Sequence, residues 1–187
     1  MSTPQLTAQK FEELLATLCE KITSECRSGE KFENSKLFER RVREVLDELI
    51  SKYGLAVNFD PHPYVFPDIV LGKFGVEVKF TSNDTWRSVA NSVFESTRDA
   101  NVENIYVVFG KMGGEPAVAW GRYEECVIHV RTSHVPRFEV ELPPQRESLF
   151  GTFGIPYTDF CKLSEAERME HVRKYARSSY MGEPIYA

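Results

Sequence analysis

Residues 67 to 79 read Pro67-Asp68-Ile69-Val70-Leu71-Gly72-Lys73-Phe74-Gly75-Val76-Glu77-Val78-Lys79. The second half alternates as a strand does. Val76, Val78 and Phe80 point one way, and Glu77, Lys79 and Thr81 point the other. Gly72-Lys73 suits a two-residue hairpin loop, glycine at its first central position favouring a type II′ turn. Leu71 then faces Phe74, Val70 faces Gly75, and Asp68 faces Glu77. Cross-strand partners have Cβ atoms about 4.5–5.5 Å apart, so two carboxylates stand side by side beside one lysine. Like charges so placed repel, and a divalent cation turns the repulsion into a binding site. Mg²⁺ takes one or two carboxylates and completes its shell with water or substrate phosphate. The bland alternative is a surface hairpin with an ion pair of little energetic consequence.

Upstream, Phe11, Leu14, Leu15, Leu18 and Ile22 recur at helical spacing and predict a first helix over 4–26. After a polar break at 27–34, Asn34 or Ser35 caps a second helix from about Lys36 to Tyr53, stopped by Gly54. On a helical wheel at about 100° per residue, Phe38, Val42, Val45, Leu46, Leu49, Ile50 and Tyr53 form one apolar stripe. Glu39 falls between Leu46 and Ile50, whereas Glu44, Asp47 and Glu48 fall outside. One acid therefore runs along the buried flank, where a carboxylate is costly unless paired or metal-bound. Arg40, Arg41 and Arg43 read as the solvated side of this helix.

Leu55–Phe59 reads as a short strand, and Pro61, Pro63 and Pro67 interrupt the next stretch. Phe66–Leu71 and Val76–Thr81 are the hairpin strands. Asp84 then caps a third helix, about Thr85 to Arg98. Ile105–Phe109, Ala117–Gly121, Cys126–Arg131 and Phe138–Leu142 read as strands, with a glycine-rich turn at Lys111–Glu115. An aromatic loop spans 149–160, and Ser164 with Glu167 forms a capping box for a last helix. This order predicts an α/β or α+β layer fold.

The chain has 187 residues, 42% hydrophobic and 27% charged, which bounds it to one globular domain, or one domain with appendages, and argues against coiled coil, collagen and disorder. No apolar run approaches the roughly 20 residues of a membrane span, and no signal pattern opens the chain. With 28 acids against 23 bases, a globally basic surface is excluded, though a local basic patch is not. Cys19, Cys26, Cys126 and Cys161 are scattered, without a C-x-x-C pair, and read as thiols of a reduced, cytoplasmic protein. The sequon Asn83-Asp84-Thr85 is idle in that setting.

At Pro67-Asp68 and Glu77-Val78-Lys79 the chain resembles the PD-(D/E)xK nuclease superfamily, which implies the restriction-endonuclease-like fold: an α/β domain with a mixed central β-sheet flanked by α-helices. Phe38-Glu39 resembles the glutamate that the family carries on its preceding helix. The order helix, strand, hairpin, helix, strand over about 35 to 110 resembles the family's core. The resemblance covers about 40% of the chain, and nothing in 111 to 187 matches a subfamily. It implies one nuclease domain: an N-terminal helical element (1–34), a catalytic core (35–110), and additional strands with a C-terminal helix (111–187). It further implies that Asp68, Glu77, the carbonyl of Val78 and, directly or through water, Glu39 hold Mg²⁺, with Mn²⁺ as a substitute. By the same resemblance Lys79 would orient or deprotonate the attacking water and offset charge on the phosphorane. The expected activity is Mg²⁺-dependent DNA endonuclease, of the type II restriction kind and working as a homodimer on a palindromic target. The alternatives are a repair, recombination or phage-defence nuclease of the same fold, or a nucleic-acid-binding module that does not cleave.

Two places suit a nucleic-acid surface. One is the start of the expected third helix, with Thr81, Ser82, Asn83, Trp86 and Arg87. The other is the turn region His129, Arg131, Thr132, Ser133, His134 and Arg137. Phe150, Phe153, Tyr157 and Phe160 offer base stacking, a dimer face or core. Cys126 and His129 fall on opposite strand faces and do not share a metal. Gly110-Lys111-Met112-Gly113-Gly114 lacks the P-loop pattern and reads as a hairpin turn.

Overall fold

The structure is a computed structural model and describes residues 5–61, 65–132 and 134–180. The first residue of the expected first helix, Pro63 and Ser133 lie outside the described residues. Helix α1 (Ala8–Arg27) starts where the Thr7 side chain accepts the Lys10 N–H, and buries Phe11, Leu14, Leu15, Leu18 and Ile22. Helix α2 (Ser35–Ile50) starts where Asn34 caps Leu37 at 3.0 Å, and a 3-10 turn (Ser51–Tyr53) ends it at Gly54. Gly54 has φ 69°, the left-handed conformation that glycine takes without strain.

Four strands form the central sheet: β1 (Ile69–Leu71), β2 (Phe74–Thr81), β4 (Asn104–Lys111) and β5 (Ala117–Arg122), in the order β1-β2-β4-β5. The pair β2–β4 is parallel and its flanking pairs are antiparallel, so the sheet is mixed. A second sheet holds β3 (Arg87–Ser92), β7 (Arg137–Glu141) and β6 (Val127–Arg131), in the order β3-β7-β6. Four more helices complete the fold: α3 (Tyr123–Cys126), α4 (Leu149–Phe153), α5 (Tyr157–Phe160) and α6 (Glu165–Tyr180).

Strand alternation divides the core in two. Val76, Tyr106 and Val108 pack against α1 and α2. On the opposite face of the sheet, Val107 and Phe109 share a second core with Val127, Phe138, Val140, Phe150 and Phe160. Phe38 of α2 lies so close to β4 that a Cβ on Gly110 would come within 2.5 Å of its ring. The outer edge of β5 is capped by Thr23 of α1. Its hydroxyl accepts the Val118 N–H at 2.8 Å and donates to the Val118 carbonyl at 3.3 Å.

Several expectations need correction. Residues 85–98 are not a helix. Ser88, Val89, Asn91 and Ser92 are weak helix formers, and β7 offers them an antiparallel partner, so β3 forms with an irregularity after Val89. Leu55–Phe59 is not a strand. Val57 is buried and Leu55 packs beside the same core, but the Val57 N–H goes to Asp47 Oδ1 at 2.8 Å instead of to a strand neighbour. The first hairpin strand is shorter than expected, because Phe66 makes only an isolated bridge to Arg98. Cys126 ends a helical turn and does not begin β6. Phe150, Tyr157 and Phe160 are buried with Phe138 and Tyr123 in the second core, which removes them as base-stacking or dimer surfaces. The capping box of α6 forms as read, Ser164 N–H donating to Glu167 Oε2 at 2.8 Å.

Candidate active site

The β1–β2 hairpin has the register Leu71 to Phe74, Val70 to Gly75 and Ile69 to Val76, and Gly72 turns it with φ 59°. Continued by one residue, the register sets Asp68 opposite Glu77. Asp68 Oδ2 accepts the Val78 N–H at 2.7 Å. The N–H and C=O of a strand residue point to the same side, so the Val78 carbonyl looks past the short end of β1, on the side of Asp68. Glu77 is buried, and its Oε1 accepts from Lys79 Nζ at 2.7 Å.

Two carboxylates thus share one covered patch with one ammonium. Burial first, then the neighbouring Glu77 and Glu39 charges, push the Asp68 carboxyl up to about 8, against the pull of the Val78 N–H and Lys79. A carboxyl so displaced marks a place that lacks positive charge.

Glu39 is close enough to act on Asp68 electrostatically, but its side chain is turned to Arg43. Arg43 Nη2 donates to Glu39 Oε1 and to the Asp68 carbonyl, both at 2.6 Å, and Nη1 donates to the Asn58 carbonyl at 2.7 Å. Arg43 is buried, so its assignment to the solvated side of α2 is corrected. Its guanidinium ties α2, the 58 loop and the start of β1 together. Sequence reasoning missed it, although it falls only about 20° beyond Ile50 on the helical wheel. Among the described residues, no three His, Cys, Asp or Glu side chains gather as one ligand group. Glu39 therefore stands beside the Asp68–Glu77 pair and not within it.

Arg43→Ala leaves two carbonyls without their donor. The Arg43 side chain is 5% exposed and that of Glu39 33%, so water takes over only part of the loss. The variant should lose about 2–3 kcal/mol of stability, measured by urea denaturation. A loss below about 0.5 kcal/mol is what a solvated arginine gives and contradicts this role.

The expected nucleic-acid residues separate into two groups. Asn83 and Trp86 follow β2 at the end of the face that carries Glu77 and Lys79, where Trp86 packs on Phe109. No helix N-terminus accompanies them, because the segment is a strand. Arg87, Arg131 and Arg137 lie instead on the outer face of the second sheet, the face opposite Phe138 and Val140. They point away from the central sheet. Arg87 is paired with Glu141 at 2.8 Å and Arg131 with Glu139 at 2.6 Å, which leaves little charge there for phosphate. His134 is exposed beside them, and His129 Nδ1 lies 2.7 Å from the Tyr175 hydroxyl.

The donor chemistry suits Mg²⁺: two oxygen-bearing side chains and a backbone carbonyl, in a place where Asp68 alone resists ionisation. No helix among the described residues is long and apolar enough to cross a membrane. No family model matches the chain, and no curated protein matches it.

Proposed function

We propose that the protein is a Mg²⁺-dependent DNA endonuclease with a restriction-endonuclease-like core, belonging to the PD-(D/E)xK superfamily. The observation that carries this reading is the Asp68–Glu77 pair. It stands with Lys79 Nζ 2.7 Å from Glu77, and the Asp68 carboxyl is pushed up to about 8. Helix α2, the β1–β2 hairpin and the parallel strand β4 support the core assignment. The route from β2 to β4 departs from it, passing through β3 in place of a helix.

Asp68, Glu77 and the Val78 carbonyl would hold the cation, with Glu39 reaching it through water. Bound there, the cation supplies a lowered pKa for water and polarises a phosphoryl oxygen. Lys79 holds Glu77 with one N–H and has two more for the attacking water and a phosphate oxygen. Its fixed charge lies where negative charge accumulates during phosphodiester hydrolysis. The acidic balance of the chain repels DNA elsewhere. A homodimer would set two such sites on the two strands of a palindromic target.

Plasmid cleavage by the purified protein tests this, with Mg²⁺, with Mn²⁺ and with EDTA. Discrete fragments in the metal lanes alone support a restriction-type enzyme. A folded protein that cuts under none of these conditions overturns the nuclease reading.

A further inference from the structure

The face of the central sheet that carries Glu77 and Lys79 does not end with them. In the β2–β4 register Lys79 pairs with Phe109 and Thr81 with Lys111. Odd-numbered residues of both strands share this face, so Lys111 lies on the same side as Lys79, one pleat further along and one strand across. Such diagonal neighbours are about 7–8 Å apart, comparable to the spacing of successive phosphates along a nucleic-acid strand.

Lys111 is an unusual lysine. Its side chain is 9% exposed, and its one ion-pair partner, Asp84 at 2.5 Å, is 68% exposed. Its other acceptor is the Gly113 carbonyl at 3.0 Å, and its ammonium stands 5.7 Å from the Trp86 ring centre. The surroundings are shaped to keep this arrangement. A Cβ on Gly113 would come within 2.3 Å of the Asn83 backbone, and one on Gly114, at φ +64°, within 2.6 Å of the Asp84 carboxylate. The two glycines press the β4–β5 turn onto the 83–84 loop and fix the ammonium between them. A buried ammonium is costly without an anion. Here the anion is the carboxylate of Asp84, 68% exposed and on a loop.

We propose that Lys111, with Trp86 beside it, is a DNA phosphate-binding subsite next to the scissile phosphate, and that Asp84 occupies this subsite until substrate displaces it. The proposal rests on the nuclease reading of Asp68, Glu77 and Lys79. It assigns a function to the Gly110–Gly114 segment that the hairpin turn alone does not give.

The test is binding of a labelled mixed-sequence DNA duplex, with Ca²⁺ in place of Mg²⁺, across a salt series. The wild type, Lys111→Gln, Lys111→Arg, Asp84→Ala and the Lys111→Gln/Asp84→Ala double variant are compared, with wild-type cleavage in Mg²⁺ measured in parallel. Lys111→Gln should weaken binding about tenfold and lower the salt slope by about 0.9. Lys111→Arg should keep the slope. Asp84→Ala, compared as folded protein by circular dichroism, should tighten binding about three- to tenfold. That gain should shrink below about twofold when Lys111 is already Gln, the signature of coupling between the two. A structural staple alone predicts lower stability in both variants and no change in slope. If the wild type cuts DNA while Lys111→Gln binds with an unchanged slope, or the Asp84→Ala gain persists in full in the double variant, the subsite is refuted and the nuclease reading stands. If the wild type neither binds nor cuts, both fall together.

Discussion

Lys79→Ala should lower the rate of plasmid cleavage at least about 100-fold, the scale of losing one preorganised charge at a reacting centre. Its far-UV circular dichroism should remain that of the wild type. Lys79 sits on an interior strand of the sheet, whose backbone pairing the substitution leaves in place. The substitution does leave Glu77 without the ammonium 2.7 Å away, next to a carboxyl that already resists ionisation. The variant should therefore unfold at a lower temperature than the wild type in EDTA, and Mg²⁺ should recover most of the difference. Catalysis should not be recovered with it, because the cation replaces the charge balance and not the N–H donors. A Lys79→Ala protein that cuts at close to the wild-type rate would falsify the assignment.

Asp68→Asn should separate stability from activity. Asn keeps an oxygen to accept the Val78 N–H but carries no charge. In the unfolded chain Asp titrates near 3.9, whereas in the folded protein Asp68 is pushed up to about 8. Below pH 4 both states hold the proton, and the variant should match the wild type. Between about pH 4 and 8 the folded wild type keeps a proton that the unfolded chain has released, so its stability falls as pH rises. Above about pH 8 both states are ionised and the full penalty, on the order of 5–6 kcal/mol, applies. Asn cannot ionise, so metal-free Asp68→Asn should be more stable than the wild type by that margin at pH 9. Cleavage should be lost. Mg²⁺ should raise the melting temperature of the wild type at pH 8 and not that of the variant. Parallel stability–pH curves for the two proteins would show that Asp68 titrates normally and would undo the argument for a charge-starved site.

The hairpin was legible because its information is local. Two residues, Gly72 and Lys73, leave one plausible register, and period-two alternation then assigns every side chain from 74 to 81 to a face. Helix α2 was legible for the same reason, its cap at Asn34, its stripe and its stop at Gly54 agreeing. Residues 85–98 were not, because β3 exists only through β7, some fifty residues away in the chain, which outweighs a local capping signal. Arg43 and Lys111 escaped notice from the opposite prejudice. Charged side chains are ordinarily solvated, and only the assembled fold reveals that acceptors at 39, 58 and 68 converge on one guanidinium, and those at 84 and 113 on one ammonium. The pairing of Arg87 and Arg131 was not legible because their carboxylate partners, Glu141 and Glu139, look like ordinary surface acids in the sequence.

The contact between Thr23 and Val118 also decides how far the chain can be shortened from its N-terminal side. Strand β5 ends the central sheet, and a bare sheet margin is a template on which further chains add themselves. Thr23 occupies the N–H and the C=O of Val118 at once, while Phe11, Leu15, Leu18 and Ile22 of the same helix fill the core beneath. Helix α1 thus covers the sheet edge as well as forming one wall of the interior. A chain beginning at residue 35 keeps every proposed catalytic group, yet should be recovered from expression as insoluble aggregate, with β-rich infrared absorption, and not as a smaller nuclease.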